Sequence, residues 1–317
     1  MGAADEVWSI GELAERAGVS VKTVRYYSER GLLPEAGRTG GGHRRYGPGA
    51  LERLRSIRAL RALELPVTDV GRVLDQGAAW EDVVTGRLRE VERRMTALRW
   101  HEASLRLLRD APAAERAERL RLLGGLAAPP DTTVLARFWR RTLPVRFPAR
   151  LAAAVVDAAV PRPPDDPTPA QVLAYARLHA LVAAAPAPPV HLAGVPHRAD
   201  ALYEGLAEAY DLAATPGSGD GGEALERFVG AYADALAARD TPAFRHHRLA
   251  RLLVAGADPV IGRYWQLAGA LRGPGDGPTA GALHGRLCLA LKRELADRTE
   301  SGAESRAEPG AAPAWGE

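Results

Sequence analysis

One cysteine, two methionines, two lysines and four phenylalanines are all that 317 residues hold of those types. A single cysteine excludes a disulfide within the chain and any site built from several thiolates. Cys288 stands amid Leu287, Leu289 and Leu291 and reads as a small buried hydrophobe. No apolar run reaches the roughly 18 residues of a membrane helix, and no signal peptide is visible, so a cytoplasmic chain without a membrane partner is expected. Two lysines against forty arginines, with abundant Ala, Gly and Pro, indicate bias toward GC-rich codons. Proline- and glycine-rich stretches are therefore not read as disorder on composition alone. A nucleophile motif, a phosphate loop and a metal-ligand set are all missing, which argues against an enzyme and leaves no cofactor to expect.

What is present is concentrated near the start. Residues 9 to 46 read as two short helices, a tight turn and a glycine-tipped hairpin. Ser9 and Glu12 form an S-x-x-E capping box opening a helix over 11–17, and Gly18 supplies the permissive backbone that ends it. Ser20 caps a second helix, 21–29, closed by Gly31 and the Leu32-Leu33-Pro34 stop. Two helices joined in this way are the helix-turn-helix arrangement, whose second helix enters the DNA major groove.

That second helix has suitable side chains. Lys22, Arg25 and Tyr26 stand three and four residues apart and project together, away from the face of Val21, Val24 and Ser28. Arg and Lys can neutralise phosphate or read guanine, and a tyrosine hydroxyl can donate to phosphate oxygen. A solvated amphipathic helix would look similar. The stretch from Arg38 to Tyr46, with Gly40-Gly41-Gly42 at its centre, adds a hairpin bearing Arg38, His43, Arg44, Arg45 and Tyr46. Helix-turn-helix plus basic wing points to duplex DNA.

These residues resemble the DNA-binding region of the MerR family of transcriptional regulators. The likeness runs through Ile10-Gly11-Glu12-Leu13-Ala14, Gly18-Val19-Ser20, Thr23-Val24-Arg25-Tyr26-Tyr27, Gly31-Leu32-Leu33-Pro34, Arg38, Gly42-His43-Arg44-Arg45-Tyr46 and Leu54 to Leu60. It implies that Arg25 and Tyr26 touch DNA and that Tyr27 is partly packed, partly near phosphate. Ser20, Lys22, Thr23, Arg38, His43, Arg44 and Tyr46 complete that surface, and Arg58 and Arg61 fall where the next helix approaches the backbone. His43 stands where the family more often has tyrosine, and it can still donate to phosphate.

Pro48 to Leu63 reads as one helix; Leu65-Pro66 breaks it, and Thr68 is placed to cap another over 69–74. Between Lys22 and Arg61, ten basic residues face three acidic ones, a local charge of +7 against +3 for the whole chain. From Trp80 to Arg109 an uninterrupted helix carries Val84, Leu88, Val91, Met95, Leu98 and Leu105 on a heptad seam, with Glu102 its polar position. Such a seam packs either on its own domain or on a second helix. The resemblance implies the latter, an antiparallel homodimer that offers two recognition helices to an inverted repeat.

Residues 111–298 show helical periods near 132–141, 148–159, 169–185, 198–214, 223–239, 242–255, 259–271 and 279–298, separated by proline clusters at 161–169 and 186–196 and glycine-rich turns at 216–222 and 273–277. The reading is a mainly α chain. It divides into an N-terminal arm (1–8), a winged helix-turn-helix domain (9–77), a dimerisation helix (78–110), an all-helical effector domain (111–298) and a disordered tail (299–317). Metal- and redox-sensing relatives hold thiols at the end of the dimer helix and the loop after it; residues 78–130 contain none. His246-His247 are adjacent, and His179, His191 and His197 lack helical ligand spacing, so no metal site is expected. Trp139, Tyr264 and Trp265 are candidates to line a pocket for a flat or amphipathic small molecule, although aromatics at helical spacing also build cores.

The functional expectation is a nucleoid-associated, sequence-specific transcriptional regulator. It binds an inverted-repeat promoter site as a homodimer, works with RNA polymerase there, and takes a small-molecule effector. The alternative is an architectural or partner-regulated DNA-binding protein with no such ligand.

Overall fold

The structure is a computed structural model that describes residues 6–75, 80–144, 146–185, 198–215, 221–255, 258–273 and 275–307. His191, His197, the proline cluster at 186–196 and the last ten residues of the expected tail lie outside the described residues. The chain forms two compact units, Met1–Met95 and Thr96–Glu317.

In the first unit a two-residue strand, β1 (Trp8–Ser9), leads into α1 (Ile10–Ala17). The Ser9 hydroxyl accepts from the Glu12 amide at 3.3 Å, and the Glu12 carboxylate accepts from the Ser9 amide at 2.7 Å. Two orphan amides of the first turn are thereby satisfied. Gly18, at φ 63°, closes α1 by turning left-handed. Helix α2 (Val21–Glu29) starts at Ser20, whose hydroxyl accepts from the Thr23 amide at 3.1 Å. Strands β2 (Gly37–Arg38) and β3 (Arg44–Tyr46) follow, then α3 (Pro48–Ala62) and α4 (Val67–Asp75). The antiparallel sheet has the order β1-β3-β2, with Trp8 opposite Tyr46 and Arg38 opposite Arg44.

The core of this unit gathers Leu13, Val24, Tyr46, Leu54, Ile57 and Val70, all fully buried. Each aliphatic side chain among them contributes about 2 kcal/mol of transfer free energy. Two details differ from the sequence reading. Trp8, assigned to a free arm, is 6% exposed and packs into this core. Thr68 does not cap α4: the helix already begins at Val67, and the Pro66 carbonyl accepts from the Asp69 and Val70 amides at 3.0 Å each.

Helix α5 (Trp80–Arg109) is unbroken over 30 residues, about 45 Å at the usual rise. The second unit continues with α6 (Arg116–Gly124), α7 (Thr133–Thr142), α8 (Ala149–Ala159), α9 (Pro169–Ala184), α10 (Ala199–Ala214) and α11 (Gly222–Ala235). A π-helical turn over Phe244–Leu249 runs into α12 (Ala250–Ala255), before α13 (Pro259–Gly269) and α14 (Ala280–Ala307). Helix α6 was not anticipated, and the tail expected from Thr299 is helical as far as Ala307. Gly302 lies within that helix at a cost of only about 1 kcal/mol relative to alanine.

Two cores organise the second unit. One joins Trp100, Leu107, Phe138, Tyr175, Leu178 and Tyr264, from α5, α7, α9 and α13. Two of its polar atoms find backbone partners, Trp100 Nε1 donating to the Pro164 carbonyl at 3.0 Å and the Tyr264 hydroxyl to the Ala159 carbonyl at 2.8 Å, whereas Trp139 Nε1 has none among the described residues. The other joins Leu202, Ala209, Phe228, Val229, Leu287 and Leu291, from α10, α11 and α14. Gly205 lets α10 and α11 meet closely there, since a Cβ on it would stand 2.6 Å from the Ala231 Cβ.

Candidate nucleic-acid interface

The periodicity of α2 sorts its side chains. Val24, Tyr27 and Ser28 turn into the core, and Lys22, Arg25 and Tyr26 stand exposed. Lys22 and Arg25 have no ion pair among the described residues, so both charges remain available to phosphate or base edges. The Tyr26 ring is held on two sides. Its edge meets Tyr27 at 5.3 Å between centroids, and the Arg30 guanidinium lies 4.7 Å from its centre. Ser20 and Thr23 share a hydroxyl hydrogen bond of 2.9 Å at the helix start. Arg30 was not named from sequence, although its i,i+4 spacing from Tyr26 carries the signal.

The wing is closed by its threonine. The Thr39 amide donates to the His43 carbonyl, the Gly42 amide to the Thr39 carbonyl (2.8 Å each), and the His43 amide to Thr39 Oγ1 at 3.1 Å. Gly42 turns at φ 80°, a conformation side chains resist. His43 is exposed at the tip, and Arg38 is exposed beside Glu35, whose carboxylate lies 3.0 Å away. Arg44 is more restrained: it pairs with Glu35 at 2.8 Å and donates to Ser28 Oγ at 2.9 Å.

Tyr46 corrects the sequence reading. It is fully buried, and its hydroxyl bonds Ser28 Oγ at 2.9 Å. Alternation along β3 puts Arg44 and Tyr46 on one face, toward Ser28 of α2, so Tyr46 fixes the wing to the recognition helix and does not present itself to DNA. Tyr27 is likewise 8% exposed and belongs to the core. Arg58 donates to the Ala17 carbonyl at 2.6 Å and Arg61 to the Leu65 carbonyl at 2.5 Å. Each bond uses one of five guanidinium donors, and neither arginine pairs with an acid among the described residues.

On α5, Leu88, Val91, Met95, Leu98 and Leu105 are exposed and Val84 is half-buried. Leu98 and Leu105 keep 65% and 67% of their surface open, so the apolar seam is uncovered in the single chain. The three aromatics proposed for a ligand divide. Trp139 and Trp265 lie 5.2 Å apart between ring centroids and line one cavity. Tyr264 does not: it is fully buried and stacks on Phe138 at 5.8 Å. Neighbours on a helix point about 100° apart, and here Tyr264 turns into the core while Trp265 turns to the cavity. Cys288 is half-buried, and burial pushes its thiol up to about 11.

Residues 8–77 match the family model described as MerR HTH family regulatory protein. Nodulation protein NolA from Bradyrhizobium sp. (strain NC92) is 39% identical over 85 residues, covering 27% of this chain and 36% of NolA. The HTH-type transcriptional activator TipA of Streptomyces coelicolor is 42% identical over 72 residues, covering 23% of this chain and 28% of TipA. The chain thus spans about a third of each of these relatives. The HTH-type transcriptional regulator ZntR of Escherichia coli is matched more completely, at 34% identity over 113 residues, 33% of this chain and 80% of ZntR. With most of one regulator covered at that identity, and the capped helix pair and basic wing on the matched residues, the chain belongs to the MerR family of helix-turn-helix regulatory proteins.

Proposed function

We propose that this chain is a sequence-specific DNA-binding transcriptional regulator acting as a homodimer on an inverted-repeat promoter site. Residues 9–77 bind DNA, 78–110 dimerise and 111–298 receive a small-molecule effector. The observation that carries the reading is the exposed row Lys22, Arg25 and Tyr26, with Lys22 and Arg25 free of acidic partners among the described residues and Arg30 lying over the Tyr26 ring. Helix α2 supplies base and phosphate contacts in the major groove, and the wing follows the adjoining backbone. The uncovered α5 seam supports pairing of two chains, which sets the half-site spacing. RNA polymerase is the partner at the promoter, where effector-dependent distortion of the DNA centre changes initiation.

The test is binding-site selection from a random duplex library at defined salt, using the full-length protein. An enriched inverted repeat is expected. Arg25→Ala and Tyr26→Ala should abolish its binding while the dimer persists. Binding that selects no sequence and fades with rising salt would favour the architectural alternative, and unchanged affinity in either variant would remove the assignment of α2.

A further inference from the structure

A cavity of about 1340 Å³ lies in the second unit between its two cores. Tyr203 and Tyr210 of α10, Tyr232 of α11 and Cys288 of α14 share its wall with Trp139 and Trp265. The three phenols differ in what they hold. The Tyr210 hydroxyl meets His284 Nδ1 at 2.9 Å. Tyr232 is only 7% exposed, yet neither its hydroxyl nor that of Tyr203 has a hydrogen-bond partner among the described residues. Both hydroxyls are thus free to donate to an arriving acceptor. Trp139 Nε1 in the same wall is buried with no hydrogen-bond partner among the described residues, a deficit of about 1–3 kcal/mol that a ligand oxygen would relieve. Burial pushes Tyr203 up to about 12 and Tyr232 higher, which keeps both as neutral O–H donors at physiological pH.

Charge is arranged differently. The lining carboxylates Glu204, Glu208 and Asp276 and the lining cations Arg272 and Lys292 are exposed. The fourth carboxylate, Asp258, is half-buried at the start of α13, where its Oδ1 accepts from the Val260 amide at 2.7 Å. Glu208 is already paired with Arg227, and Asp276 accepts from the Gly273 amide at 2.8 Å. The fully buried part of the wall thus offers aromatic surface and neutral donors, and the ionised groups of the lining are exposed or, at Asp258, already bonded to backbone. Trp265 is set flat in this wall because α14 has a glycine beneath it. A Cβ on Gly281 would stand 2.0 Å from the Trp265 Cγ.

We propose that this cavity binds an uncharged, flat, largely apolar molecule bearing carbonyl or ether oxygens, received by the Tyr203 and Tyr232 hydroxyls and packed against Trp139 and Trp265. The proposal rests on the effector reading above and gives that effector a chemical class. A permanent cation or anion of the same size loses its hydration against this wall and finds no counter-charge among its fully buried residues.

The experiment is a fluorescence titration of the full-length protein with Nile Red, a neutral flat dye carrying a carbonyl, beside rhodamine 6G, a flat permanent cation. Saturable, blue-shifted Nile Red binding is expected, with rhodamine 6G at least tenfold weaker. Tyr203→Phe and Tyr232→Phe keep the rings and should each weaken Nile Red about fivefold, the double variant about 25-fold. Circular dichroism confirms that the variants are folded. Three outcomes overturn the proposal: no Nile Red binding, tighter binding of rhodamine 6G, or equal Nile Red affinity in the wild type and double variant. The last would assign the dye to another apolar surface, such as the α5 seam. Site selection on the same preparation separates the two readings. An enriched inverted repeat without Nile Red binding overturns only the cavity proposal, and Nile Red binding without an enriched repeat overturns only the regulator reading.

Discussion

Arg245 is the most informative residue to remove from the second unit. It lies in the π-helical turn at 6% exposure and donates to three carboxylates. Its Nε reaches Asp240 at 2.8 Å, one terminal nitrogen straddles Glu294 at 2.9 and 3.0 Å, and the other meets Glu226 at 2.6 Å as well as Asp240. Those hydrogen bonds, to Asp240 first, hold the guanidinium above its ordinary pKa. Arg245→Met keeps the stem's bulk and strands the carboxylates. Breaking a buried ion pair costs about 3–5 kcal/mol, but Glu226 is 62% exposed and can return to water. Asp240 and Glu294, at 29% and 21%, cannot do so fully, although Glu294 keeps Arg298 at 2.9 Å. The expected loss is therefore about 2–4 kcal/mol. Urea unfolding followed by far-UV circular dichroism would show it as a lower midpoint at unchanged slope. Arg245→Met combined with Asp240→Asn should recover part of the loss, because a carboxylate left with no other cation among the described residues is gone. The Arg245 cluster links α11 and α14, which carry Tyr232 and Cys288, so Nile Red affinity should fall alongside stability. A single-variant loss below about 0.5 kcal/mol would refute the reasoning and mean that solvent already compensates these acids.

Two shorter expectations accompany it. Leu98→Glu, on the uncovered α5 seam, should convert a dimer to a monomer in light scattering and lower apparent DNA affinity; a dimer that survives would place the interface elsewhere. The Ser9 amide holds the Glu12 carboxylate below its ordinary range, so its contribution to stability is present above the usual carboxyl pKa and is lost as pH falls through the depressed folded value. Wild type should therefore be more stable than Glu12→Gln at pH 7, with the gap closing in acid; a pH-independent gap would count against the ionised capping box.

The N-terminal elements were legible because local chemistry specifies them. The Ser9–Glu12 box, the Ser20 cap and the left-handed Gly18 each act within four residues, and α2 and α5 begin and end where sequence placed them. What depended on distant partners was not legible. Tyr46 follows two arginines in a basic wing, and only Ser28, eighteen residues earlier, shows that its hydroxyl faces inward. Helix α6 has no fully buried residue and hence no clear apolar stripe; ion pairing of Glu115 with Arg119 was its main trace. The stretch over 242–255 keeps helical periodicity but contains a π-helical turn, whose Arg245 bonds Asp240 nearby and also carboxylates on α11 and α14 that no local window includes. Of the cavity, Trp139 and Trp265 were legible as lining candidates, and the rest of its wall was not. Its tyrosines come together from α10 and α11, and its wall depends on Gly281 lying against Trp265.

The pairing of Trp139 with Trp265 at 5.2 Å has an optical consequence. Two indoles so close exchange excitation energy, and a molecule entering beside them alters the emission of both. In a background where Trp8, Trp80, Trp100 and Trp315 are phenylalanine, the cavity becomes its own unlabelled sensor, and colourless compounds can be screened by the light that the protein itself emits.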